Sequence, residues 1–349
     1  MVTWPLVPYS WRTSGILCLF LALMFSLLGS ENMQSDNETR GHLYGRTVLV
    51  TGGTRGLGLL QADRALAAGA RHVTITSRPD SAGGNIDDRG RALQYLQERH
   101  GADRSSYVSA DVRKACPVRD GKTIDDGMCN GRVFDPAIRE SLGLPRQLDS
   151  VSLNAGVFGP GDISRRIDKL SGEMWDNVQD TNCKGVFHGL QDFARAQKEE
   201  PSDDPAVVVI KSIYGSGASL FGHATYQASK FCAHGLTKQA AIELSRPERG
   251  IPRINVNSVS PGFSKSPMTK GFWGVEEVRG ETANAHPSGT WVEGDDVAKS
   301  VVFMMNPPGA VTGVDLPVDN GVMAESVPGW DQADAIRKVT GEPCCGTVD

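Results

Sequence analysis

Short runs of β-branched and apolar residues alternate with longer segments of helical period over most of the chain. Residues 46–51 (RTVLVT) predict a strand, and the turn Gly52-Gly53-Thr54-Arg55-Gly56-Leu57-Gly58 follows at once. The periodic LLQADRALAAG behind it predicts a helix, and 72–77 (HVTITS) a second strand. The alternation continues with a helix over 89–100, strands over 106–110 and 150–153, and a long helix within 172–196. A strand over 206–212 (AVVVIKS), a helix over 225–245, a strand over 253–260 (RINVNSVS) and a last strand over 312–318 complete it. Strands joined by helices in this order predict an α/β protein: one doubly wound parallel sheet of about seven strands, with right-handed crossovers and helices on both faces. No second domain is expected.

The first 40 residues break the pattern. Arg12 precedes 15–29 (GILCLFLALMFSLLG), which holds no charge and is shorter than the ~20 residues of a spanning helix. It reads as a signal peptide or an uncleaved membrane anchor, followed by a polar linker with the glycosylation triplet Asn37-Glu38-Thr39. The expected layout is therefore 1–40 as address and linker, 41–325 as the folded domain and 326–349 as a tail. The expected place is the secretory pathway or endoplasmic reticulum, lumenal or membrane-anchored.

Of 349 residues, 39% are hydrophobic and 22% charged, ample for one core, and the formal net charge of −5 gives no reason to expect a nucleic-acid partner. Seven cysteines are present. Cys18 lies in the apolar run, whereas Cys183 and Cys232 fall in helical segments and read as small core residues. Cys116, Cys129, Cys344 and Cys345 lie in loop-like sequence and are free to pair in an oxidising compartment. No CxxC pair repeats, so no metal site is expected.

The chemistry concentrates at Tyr226 and Lys230. Four residues apart on a helix, they share one face, and an ammonium beside a phenol favours the phenolate. The glycine turn between a strand and a helix lets backbone approach a pyrophosphate, whose charge meets the helix N-terminus.

Together with the residues below, these motifs resemble the short-chain dehydrogenase/reductase family, in its single-domain branch with a Rossmann-type fold, over about residues 45–322. Thr51–Gly58 has the family's TGxxxGxG form, which implies that Gly52, Thr54, Arg55, Gly56, Leu57 and Gly58 hold the dinucleotide. Asp111, followed by Val112, matches the acid near the adenine ring. Asn154, Ala155 and Gly156 match the NNAG segment, with Leu153 replacing its first Asn. Ser212, Tyr226 and Lys230 match the catalytic set, and Asn182 the supporting helix asparagine. Pro261, Gly262, Phe263 and Ser266 match the turn beside the nicotinamide. The resemblance implies a reductase in which Ser212 holds a carbonyl oxygen, Tyr226 gives it a proton, and Lys230 lowers the tyrosine pKa. Asn182 would fix a water between Lys230 and solvent.

After the second strand come Ser77 and Arg78, with no acid before Asp80, and Arg55 is a second basic residue in the turn. That pattern favours NADP(H) over NAD(H). A secondary-alcohol dehydrogenase using NAD(P)+ and a non-catalytic NADPH-binding scaffold are the alternatives. The resemblance also implies a homodimer or homotetramer paired through 172–196 and 225–245. A small carbonyl or alcohol compound is the expected substrate, under an apolar lid containing Met268, Phe272, Trp273 and Trp291, with Phe158, Phe221 and His223 opposite. The chain departs from the family between Asp111 and Asn154, where an excess near 114–144 reads as a surface insertion, with a partner-binding flap or a disulfide-closed loop as alternatives.

Overall fold

The computed structural model describes residues 41–78, 86–119, 122–158, 166–217, 223–246 and 251–324. The 15–29 segment, the Asn37 triplet, Cys18, Phe221, Cys344, Cys345 and the 326–349 tail lie outside the described residues. Among those described, no helix is long and apolar enough to cross a membrane.

Seven strands form the sheet: β1 (Thr47–Thr51), β2 (His72–Ser77), β3 (Ser105–Ser109), β4 (Ser150–Leu153), β5 (Ala206–Ile210), β6 (Asn255–Pro261) and β7 (Asp315–Val318). Their spatial order is β3-β2-β1-β4-β5-β6-β7, with every pair parallel. Chain order reverses between β1 and β4, and the carboxyl ends of those strands open the crevice where such sheets bind ligands.

Because successive side chains of a strand point to opposite faces, the apolar runs feed two cores. Val48 and Val50 pack on one face with helix α1 (Gly56–Ala67), while Leu49 packs on the other. On β5, Val208 and Ile210 face the first core, and Val207 and Val209 the second. Helix α2 (Ile86–His100) follows β2 on the first side.

The stretch between Asp111 and Asn154, with its excess near 114–144, is more than a surface insertion. Its first part closes through a Cys116–Cys129 disulfide and returns to the sheet where Asp111 N–H donates to the Met128 carbonyl (2.7 Å). In its second part, Val133, Phe134, Leu144 and Leu148 are buried in the second core. Short helix α3 (Pro136–Ser141) is capped by Asp135, and its fully buried Arg139 donates to the Val133 and Pro145 carbonyls. Apolar side chains in loop-like sequence carry no period, so only the packed structure shows that they belong to the core.

The long helix expected over 172–196 divides into α4 (Gly172–Gln179), a π-helical turn (Asp180–Lys184) and α5 (Gly185–Glu199). Such turns re-aim one side chain within a helix, and here the turn contains Asn182. Helix α6 (Ala224–Leu244) crosses beside it. Cys183 and Cys232 are not simple core residues: they form a second disulfide, joining the π-turn to α6. Forty-nine residues separate them in sequence, so only the tertiary fold brings them together. Leu153 replaces an Asn at no cost in packing, because Gly189 of α5 leaves the space; a Cβ there would lie 2.4 Å from Leu153.

Candidate active site

The crevice at the β1–β4 reversal is a cleft of about 410 Å³. Backbone geometry makes its near wall. Gly52 and Gly56 take φ of 66° and 55°, and a Cβ on Gly58 would stand 2.4 Å from the Gly52 carbonyl oxygen. Thr54, Arg55 and Leu57 complete the turn along the cleft, and α1 begins within it, so backbone N–H groups at a helix N-terminus are presented to the site. The floor is Asn154, Ala155 and Gly156. Asn154 is locked there, its N–H donating to Thr51 Oγ1 (3.0 Å) and its Nδ2 to the Thr51 carbonyl (2.9 Å).

Cations gather at one end. Arg55, Arg78 and Arg89 all line the cleft beside Ser77 and Val112. Arg89, on α2, donates to the Arg78 carbonyl (2.7 Å) and lies over the Tyr107 ring. No sequence pattern marked it. Burial, then the neighbouring charge of Arg113, holds the Arg78 guanidinium below its ordinary pKa, with Arg55 adding to the effect. Like charges packed this closely suit a polyanion. Asp111 lies beneath rather than along the cleft: Arg113 grips both of its carboxylate oxygens (2.7–3.1 Å). Burial opposes ionisation of Asp111, but the hydrogen bonds from Arg113 outweigh it and hold the carboxyl below its usual range.

The other end brings Ser212, Tyr226 and Lys230 together with Pro261, Gly262 and Ser266. Ser212 follows the end of β5, and Tyr226 and Lys230 occupy the first turns of α6. Ser212 hydrogen-bonds the Tyr226 hydroxyl. Lys230 Nζ lies 5.5 Å from the Tyr226 ring centroid and donates to the Ile210 carbonyl (2.9 Å). Contrary to the expectation of an acidified phenol, burial pushes Tyr226 up to about 12, against the opposing Ser212 bond. Burial, then the charge of Lys211, brings Lys230 down to about 8. Removing both groups from water favours their neutral forms, a consequence of depth that sequence spacing does not report.

Asn182 stands behind this pair and does not line the cleft. Its Oδ1 accepts the Val157 N–H (2.8 Å), and its Nδ2 donates to the Val157 carbonyl (2.9 Å) and to Ser229 Oγ (3.0 Å). The side chain thus spans β4's exit loop and α6, with both ends of the amide engaged by protein. Phe263 also turns away from the cleft, into an aromatic cluster with Tyr214, Phe272 and Trp291. Phe158 stacks on Tyr226 at 4.3 Å, and His223 meets Phe158 edge-on. Tyr214 is buried in this cluster with no hydrogen-bond partner for its hydroxyl. Buried His286, unmarked by sequence, accepts the Phe263 N–H at Nε2 (3.2 Å) and closes against Gly262. Burial holds its pKa below the ordinary value, as an accepting imidazole requires. Asn320 adopts positive φ (51°), a conformation that asparagine tolerates.

The arrangement combines an N-terminal helix cradle, a cationic end and a dry hydroxyl–amine end in one cleft, which fits a dinucleotide. Residues 134–323 match the family model described as Enoyl-(Acyl carrier protein) reductase. The chain is similar to the 3-alpha-(or 20-beta)-hydroxysteroid dehydrogenase of Mycobacterium tuberculosis, with 30% identity over 81% of this chain and 92% of that one. It is also similar to momilactone A synthase of Oryza sativa subsp. japonica, with 28% identity over 84% and 94%. A solved structure of a putative 2-deoxy-d-gluconate 3-dehydrogenase from Agrobacterium tumefaciens, with bound NADP, superposes with a TM-score of 0.64 at 25% identity, covering 81% of this chain and 98% of that one. With this sheet order, this cleft and these relatives, the chain belongs to the short-chain dehydrogenase/reductase family.

Proposed function

We propose that the protein is an NADPH-dependent reductase that converts a ketone, or an acyl ketone, to a secondary alcohol. The observation that carries this reading is the meeting of Ser212, Tyr226 and Lys230 in the same cleft as Arg55, Arg78 and Arg89. When bound, the cofactor supplies the hydride. Arg55 and Arg78, with Arg89 in support, would bind its 2′-phosphate, and the glycine turn its pyrophosphate. Ser212 donates to the substrate carbonyl oxygen as negative charge develops there. Tyr226, held protonated by burial, gives that oxygen its proton. Lys230, an ammonium below about pH 8, would donate to the ribose hydroxyls and return a proton to Tyr226, and solvent would reprotonate its amine. Asn182 fixes α6 against the Val157 loop, keeping Ser229 and the adjacent Lys230 in place.

Phe158 and Met268 on the cleft lining favour an apolar or ring-bearing carbonyl compound. Oxidation of a secondary alcohol would run through the same residues in reverse. Residues 41–325 are proposed as one catalytic domain, with the 172–199 and 224–244 helices as the face of a homodimer or homotetramer. Exposed Trp175, Phe187 and Phe231 on those helices support that pairing. The two disulfides support an oxidising compartment and a lumenal enzyme.

The test is NADPH oxidation at 340 nm against ketones, quinones, steroids and acyl ketones, with NADH in parallel and Tyr226→Phe as the blank. Turnover with NADPH that disappears in Tyr226→Phe is expected. Tight NADPH binding without turnover would support the scaffold instead, and failure to bind either nucleotide would overturn the reading.

A further inference from the structure

Between Ile210, whose carbonyl accepts a hydrogen bond from Lys230 Nζ, and Ser212 stands a lysine with no exposed side-chain surface. Its three ammonium protons have three partners on separate segments: Asp315 Oδ2 on β7 (2.7 Å), Ser216 Oγ (2.8 Å) and His234 Nδ1 on α6 (2.5 Å). Asp315 is saturated in turn, accepting from Ser216 at one oxygen and from Ser258 and Ser260 of β6 at the other (2.8–2.9 Å). Backbone joins in, since Lys211 N–H donates to the Val259 carbonyl (2.9 Å). A buried charge leaves water only when its hydrogen bonds are met, and here they are met by a network from two strands, one helix and the turn after Ser212.

We propose that Lys211 is a positioning residue: through His234 and Asp315 its ammonium clamps the Ile210–Ser212 backbone to α6 and β7, setting Ser212 and Lys230 against Tyr226. This rests on the reductase reading of Ser212, Tyr226 and Lys230. The contact to His234 needs a neutral imidazole, because Lys211 can only donate. Groups facing the ammonium are Asp315 from β7 and His234, Lys230 and Lys238 from α6, with the hydroxyls of Ser216, Ser258 and Ser260. Burial, then the charge of Lys211, keeps His234 below its ordinary pKa. The clamp therefore holds at neutral pH and opens as pH falls through that lowered value, when imidazolium and ammonium repel.

The experiment compares Lys211→Met, His234→Leu and His234→Gln in the full chain. Readouts are kcat and KM against pH, and the Lys230 titration followed by its side-chain carbon resonance. His234 is partly exposed, so its variants should fold, and the Gln side chain can still accept from Lys211. His234→Leu is expected to lose about 10- to 100-fold in kcat, the cost of a misplaced reacting group, with KM for NADPH within about twofold. His234→Gln should keep the neutral-pH kcat and lose the acid limb of the profile. Lys211→Met should move the Lys230 midpoint upward, a readout that needs no turnover. Equal behaviour of the Leu and Gln variants, or an unmoved Lys230 midpoint in a folded Lys211→Met protein, would overturn the proposal. A wild type no faster than Tyr226→Phe would instead overturn the reductase reading, and the Lys230 midpoint would still decide the role of Lys211.

Discussion

Replacing Lys230 by Met should abolish turnover and make the cofactor-free protein more stable. The buried amine titrates at about 8 in the fold, against an ordinary value of 10.5. At 1.36 kcal/mol for each tenfold difference, holding that ammonium protonated below pH 8 costs the folded state about 3 kcal/mol. Met fills similar volume without charge but leaves the Ile210 carbonyl without this donor, a loss of about 1 kcal/mol. The net gain at pH 7 is therefore about 2 kcal/mol, or about 4 °C in Tm for a chain of this size. The sign with pH follows from proton counts. Between 8 and 10.5 the unfolded chain binds more protons than the folded one, so wild-type stability rises with pH there and the variant's does not. Urea unfolding of both proteins without nucleotide, at pH 7 and at about pH 9.5, measures the gap. The gap should narrow at the higher pH. A Lys230→Met protein less stable than wild type at pH 7, or a gap unchanged with pH, would refute the reasoning.

Arg78→Ala should raise KM for NADPH by about 10- to 100-fold, the worth of a hydrogen-bonded charge, and leave KM for NADH nearly unchanged; equal losses with both cofactors would remove Arg78 from the phosphate site. Replacing Cys116 and Cys129 together by Ser should cost about 3 kcal/mol for a loop of 13 residues, seen as a lower urea midpoint with kcat retained. Tyr214→Phe should raise stability by about 1 kcal/mol, because it removes a buried hydroxyl that has no partner; a fall in Tm would show that the hydroxyl is satisfied in solution.

Local rules account for much of what was legible. Strands β1 and β5 are β-branched, both faces buried, and their runs are plain in TVLVT and AVVVI. The glycine turn needs residues without Cβ where it folds on itself, so Gly52, Gly56 and Gly58 mark it in any context. Tyr226 and Lys230 share a helix face because helical spacing puts them there. Each of these follows from neighbours within a few residues, so amino-acid order alone marked these strands, the glycine wall of the cleft and the shared face of Tyr226 and Lys230.

Depth and long-range contact decided the rest. The direction of the Tyr226 and Lys230 shifts depends on how completely water is excluded, which spacing does not encode. Asp111 and Phe263 keep their sequence positions yet turn from the cleft, one to Arg113 and the other to an aromatic cluster. Phe134 and Leu148 join the core from a stretch without period. Cys183 and Cys232 pair across the π-turn, and Lys211 and Asp315, 104 residues apart, form a buried ion pair. Each of these partnerships exists only once separate segments have packed, because the free energy that joins them is that of burial and desolvation, and no residue carries it alone.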